Sequence, residues 1–155
     1  METADQKNDV SPPVLALDLG KKRVGVAVSD DLSISISKLD ALPRTNWKQL
    51  LRDVDDLIQR YDAKTLVIGL PLRLNGTDGD AATETRRLAT NFARSLKLPV
   101  YLQDERLTSR AAEENLRLGG AAPEDIRDLV DSESAALILR DFLMPSQERT
   151  LVTIS

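Results

Sequence analysis

At 155 residues, with no cysteine and no histidine, the chain can bury one sizeable core and lacks the thiolate and imidazole groups of nucleophilic, acid–base and zinc chemistry. A formal net charge of -4 argues against a uniformly basic coat for a polyanion, yet 21 lysines and arginines suffice to line one face. No segment approaches the roughly 20 apolar residues of a membrane span, and METADQKNDVSPP lacks the apolar core of a secretory signal, so a cytoplasmic protein is expected.

In chain order, residues 1–13 are polar with two consecutive prolines and read as a disordered tail. A single domain, 14–144, then opens with VLALDLGKKRVGVAVSD. Val14, Leu15, Ala16, Leu17 and Leu19 surround Asp18 so fully that this strand needs cover on both faces, and its buried carboxylate needs a partner. Gly20, Lys21, Lys22 and Arg23 form a basic turn before Val24, Val26 and Val28, which gives an antiparallel hairpin. Alternation of Leu32, Ile34 and Ile36 with serines suggests a third strand with one solvated face, ended by Pro43.

From Trp47 the apolar positions Leu50, Leu51, Val54, Leu57, Ile58 and Tyr61 keep helical spacing, with Thr45 or Asn46 as the cap. Thr65 to Leu70 is a buried strand, followed by a loop holding Asn75 and Gly76, a helix over Ala81 to Leu96, and a strand from Val100 to Glu105. These two strand–helix–strand passages imply right-handed crossovers and a parallel portion. Thr108 or Ser109 is placed to cap a short helix ended by Gly119 and Gly120, and Pro123 to open another with Ile126, Leu129 and Val130 inward. Asp131 and Ser132 are expected to interrupt it before a last helix from Glu133 to Leu143. Residues 145–155 read as a polar C-terminal tail. The expected fold class is α/β: a five-stranded mixed sheet, three antiparallel strands then two parallel, with flanking helices.

Three carboxylates stand at the edges of apolar elements: Asp18, Glu105 and Asp131. If the parallel strands flank the first strand, these acids converge at one sheet edge, an arrangement favourable chiefly around divalent cations. Oxygen donors without histidine or cysteine suit Mg2+ or Mn2+. Plainer alternatives are that Asp131 caps a helix and that Glu105 pairs with Arg106 or Arg23. Lys21, Lys22, Arg23, Arg106 and Arg110 are candidates to hold nucleic-acid phosphates, or are solvated cations.

The blocks DLGKKRVGVAVSD at 18–30, GLPLRLNGTDG at 69–79, DERLTS at 104–109 and VDSESAALIL at 130–139 resemble, in order, the signatures of the YqgF family, also called RuvX. That resemblance implies an RNase H-like fold with Asp18, Glu105 and Asp131 as catalytic, metal-binding acids. It also implies a Mg2+- or Mn2+-dependent nuclease for the end of pre-16S ribosomal RNA, with Holliday junction resolution as the alternative. Arg73 departs from the family pattern, where a more polar, asparagine-like residue is expected. Two further readings are an ATP-binding actin-like module, which needs a second half this chain has no length for, and a catalytically silent nucleic-acid-binding module. The expected partner is structured RNA or branched DNA, met by a monomer or homodimer; a symmetric junction needs two active sites.

Overall fold

Apart from Asp18, every residue of β1 (Val14–Leu19) is apolar, and a strand of that kind needs packing on both faces. The computed structural model describes residues 10–106, 114–120, 123–144 and 149–154, with side chains from Ser132 onward in the last helix. In it, β1 pairs antiparallel with β2 (Arg23–Ser29) and parallel with β4 (Thr65–Leu70). The outer neighbours are β3 (Ile36–Pro43) beside β2 and β5 (Val100–Asp104) beside β4. A sixth strand, β6 (Thr150–Leu151), adds antiparallel to β5, giving the order β3-β2-β1-β4-β5-β6.

The sheet thus has six strands rather than the expected five. The added strand comes from the segment read as a polar tail: Val152 donates its N–H to the Val100 carbonyl at 2.8 Å. A two-residue strand has no periodicity to detect, and only its non-local ladder defines it.

The pleat divides the core in two. Leu15 and Leu17 of β1, Val24, Val26 and Val28 of β2, and Leu66 and Ile68 of β4 face one layer. There they meet Leu50, Val54, Leu57 and Ile58 of α1 (Trp47–Tyr61) and Ala82, Ala89 and Phe92 of α2 (Asp80–Ser95). Trp47 and Phe92 join the two helices edge to face, with ring centroids 4.8 Å apart. Val14, Ala16, Ala27 and Val67 face the other layer, against Ala135, Ile138, Leu139 and Phe142 of α3 (Pro123–Phe142). Each such large side chain contributes about 1.5–3 kcal/mol by leaving water. Asn46 caps α1 by accepting from the Gln49 N–H at 2.9 Å.

Two expectations are corrected. The third strand starts at Ile36, not Leu32: Asp30 Oδ1 accepts from the Ile34 N–H at 2.8 Å, folding 30–35 into a turn with Ser33 at φ 57°. Leu32 and Ile34 are left in solvent. The last helix is also continuous from Pro123 to Phe142, so Asp131 and Ser132 do not break it. Ser132 is accommodated by docking, since its hydroxyl donates to the Leu39 carbonyl of β3 at 2.6 Å. Beside it, Lys38 pairs with Glu133 at 2.7 Å. An interior serine or aspartate costs a helix only a few tenths of a kcal/mol, which tertiary contacts readily offset. From β3, α3 crosses the sheet to Tyr101 of β5, whose ring lies 5.2 Å from Phe142.

Candidate active site at the carboxyl ends of the central strands

Strand alternation decides where each acid points. Along β1, Val14 and Ala16 face α3, and Asp18 shares their parity, so its carboxylate stands on the α3 face. The β2 residue opposite it is Gly25. On the other side Leu17 pairs with Ile68, so the next residues along β1 and β4 are Asp18 and Gly69. Asp18 therefore lies between two glycines, and the sheet is free of side chains around it.

Glu105 reaches the same place from the far side of β4. Its N–H donates to the Leu70 carbonyl at 3.1 Å, extending the β4–β5 ladder by one residue. Tyr101 faces α3 while Leu102 faces the other layer; the alternation therefore sends Glu105 to the α3 side and Asp104 away from it. The Glu105 carboxyl lies across Gly69: a Cβ there would stand 3.0 Å from both its carbon and its Oε2, and would strike the Cδ1 of Ile138. Gly69 is small because an acid and a helix both need the space above it.

Asp18 and Glu105 meet side chain to side chain. Burial pushes the Glu105 carboxyl up to about 9, and the Asp18 charge, a hydrogen bond with Asp18 and the Asp104 charge act in the same direction. Among the described residues no cation acts to lower it. Both residues are half-buried, and two carboxylates in contact at such a position repel while both are ionised, so the pair favours holding a proton or a cation. Its oxygen-only donor set suits a hard divalent ion.

Asp131 lies within α3, seven residues before Ile138, and its side chain falls outside the described residues. Among the described residues no group of three acids able to hold a metal gathers. Arg110 also falls outside the described residues.

The other basic candidates divide. Lys21 and Lys22 are exposed at the β1–β2 turn, beside the carboxyl end of β1, and no ion pair involves them among the described residues. Arg23 begins β2 and is half-buried. Arg106 pairs with Asp104, its Nε and Nη2 at 2.8 and 2.7 Å from Oδ2, and donates from Nη1 to the Leu74 carbonyl at 3.1 Å. Of the alternatives for Glu105, the pairing with Arg106 gives way to Asp104 because residues two apart share a strand face. Arg44 went unnoticed in the sequence: it donates to the Gly20 carbonyl at 2.7 Å and braces the hairpin turn beside Asp18. An arginine after Pro43 gives no local sign of that long-range bond.

A mixed sheet of this order, helices on both faces, and two acids meeting where the central strands end define an RNase H-like α/β domain. The RuvC of Thermus thermophilus, solved with a Holliday junction substrate, has this fold: TM-score 0.53 at 16% identity, covering 82% of this chain and 92% of that one. The family model described as RuvX, Holliday junction resolvase, matches residues 13–145, and the chain belongs to that family. Among its relatives, a "Putative pre-16S rRNA nuclease" of Gloeothece citriformis is 41% identical over 137 residues, 88% of this chain and 89% of the relative. A protein of the same name from Syntrophus aciditrophicus is 38% identical over 130 residues, 84% of this chain and 87% of the relative.

Proposed function

We propose that this protein is a divalent-cation-dependent nuclease that hydrolyses phosphodiesters at the end of pre-16S ribosomal RNA, in the cytoplasm. The observation that carries the reading is the side-chain contact between Asp18 and Glu105 over Gly69. Two acids in contact repel when both are ionised, and a cation between them relieves that repulsion. The names of the relatives supply the substrate. Asp18, on the strand most central to both core layers, anchors the ion; Glu105 completes its position from β5, and Asp131 of α3 is the third ligand. Mg2+ or Mn2+ fits these oxygen donors. When bound, the cation supplies an activated water and charge stabilisation for the leaving oxygen.

The chain's own contribution is rigidity and charge. Asp18 and Glu105 sit at the ends of hydrogen-bonded strands, so their separation is fixed before substrate arrives. Lys21 and Lys22 on one rim offer phosphate contacts, with Arg23 beside them and Arg110 a further candidate, which raises local substrate concentration without reading sequence. Arg106 acts by holding the neighbouring loop.

Cleavage of four-way DNA junctions is the second reading, favoured by the family's description and by the shared RuvC fold. An RNA end presents one scissile bond and needs one site, so a monomer suffices; a symmetric junction needs two, hence a homodimer. The test is cleavage of precursor RNA and of a four-way junction by the same preparation with Mg2+ or Mn2+, and with EDTA. RNA cleavage that stops with EDTA supports the first reading, junction cleavage the second, and metal-independent or absent cleavage of both overturns the nuclease assignment.

A further inference from the structure

In the sheet β4 lies between β1 and β5, so the chain leaving β4 emerges between Asp18 and Glu105. That chain is a built turn. The Arg73 N–H donates to the Thr77 carbonyl at 2.9 Å and the Gly76 N–H to the Arg73 carbonyl at 2.8 Å. Asn75 Oδ1 accepts from the Thr77 N–H at 3.1 Å and from its hydroxyl at 2.7 Å. Arg106 fastens the turn to the sheet: held by Asp104, it donates to the Leu74 carbonyl and lies so close over Gly76 that a Cβ there would stand 3.3 Å from Nη1.

Two side chains of this fastened turn are exposed to solvent. Leu74 is 75% exposed. Arg73 is exposed, with its stem and guanidinium lying along Gly79. It makes no ion pair among the described residues, whereas Arg86, Arg87 and Arg106 are matched by Asp78, Glu84 and Asp104. A free cation next to a solvated leucine, on a turn braced from the strand that carries the catalytic acid, matches the two faces of a nucleic-acid strand. A phosphate suits the one and the apolar face of an unpaired base the other.

We infer that the turn 73–77 is a preformed contact for the strand entering the site: Arg73 takes a backbone phosphate, Leu74 lies against an unpaired base, and Arg106 is the positioning residue. The inference rests on the nuclease reading and names how that site takes its substrate. Preformation matters because an ordered turn pays its entropy during folding rather than on binding.

The experiment measures binding of a single-stranded RNA carrying 2-aminopurine to the full chain in an Asp18→Asn background, across a salt series. Arg73→Ala is expected to weaken binding about three- to tenfold and to make the log–log salt slope shallower by about 0.7, the value for one phosphate contact on a single strand. Leu74→Ala is expected to weaken binding by a similar factor with the slope unchanged, and to lose the fluorescence change that reports a base against the protein. Arg106→Lys keeps the charge but loses the fork that spans Asp104 and Leu74; it is expected to lose the fluorescence change while its melting temperature stays within a few degrees of the parent. An unchanged slope in Arg73→Ala, or unchanged affinity and fluorescence in Leu74→Ala, overturns the inference. Cleavage is scored separately, with the turn substitutions made in the wild-type background: full activity in Asp18→Asn refutes the nuclease site, while unaltered binding in the turn variants, whatever their activity, refutes the turn alone.

Discussion

Replacing Glu105 with glutamine should stabilise the metal-free protein, and by an amount that grows with pH. In the folded chain burial and Asp18 raise this carboxyl from 4.5 to about 9, so between those values the native state keeps a proton that the unfolded state has released. A group whose acid form is favoured by folding contributes most below its unfolded pKa, and that contribution drains away as pH climbs to the folded value. At about 1.4 kcal/mol per unit, ionising the pair costs several kcal/mol by pH 9. Glu105→Gln removes the titration and the repulsion while keeping the size. For a chain of this length each kcal/mol moves the melting temperature by roughly 2–4 °C. In EDTA the variant should therefore melt close to wild type at pH 5 and some 10 °C above it at pH 9. Circular-dichroism melts at pH 5, 7 and 9 read this directly, and Mg2+ should flatten the wild-type curve while leaving the variant's unchanged. Parallel pH curves for the two proteins in EDTA would refute the contact between Asp18 and Glu105.

Gly69→Ala forces a methyl into Ile138 and the Glu105 carboxyl; overpacking of this kind should cost about 1–3 kcal/mol, and denaturant melts should show it together with reduced cleavage. Ser132→Ala removes the 2.6 Å bond to the Leu39 carbonyl, for which a loss of about 0.5–1.5 kcal/mol is expected, measured as a shifted urea midpoint with an unchanged m-value. Asn46→Ala deprives the Gln49 N–H of its acceptor and should lower stability by about 1 kcal/mol without altering cleavage, a control for general destabilisation.

How far the sequence led can be judged element by element. The hairpin, α1 and the two strand–helix–strand passages were legible because their apolar spacing and their bounding glycines and prolines all point the same way. Residues 32–35 misled because alternating serine and apolar residues imitate a half-buried strand, while the Asp30 turn that governs them is a side-chain effect. Asp131 and Ser132 misled because short polar residues favour helix ends locally, and only β3, nearly a hundred positions away, supplies the acceptor that keeps Ser132 inside a helix. At the site, Asp18 and Glu105 were legible as acids ending apolar strands. Their meeting over Gly69 depends on strand order and on which face each residue takes. The same pleat sends Arg106 to Asp104 rather than to Glu105, a choice that two adjacent acids leave open in one dimension.

The central claim is that Asp18 and Glu105 form one cation-dependent hydrolytic site, and Asp18→Asn tests it most directly. The measurement is cleavage of precursor 16S RNA by purified wild type and variant, titrated with Mn2+ and free of host nucleases. Wild type is expected to cleave in a metal-dependent way, and the variant to lose orders of magnitude of activity while folding as stably or more so. Wild-type cleavage by Asp18→Asn at any Mn2+ concentration would contradict it.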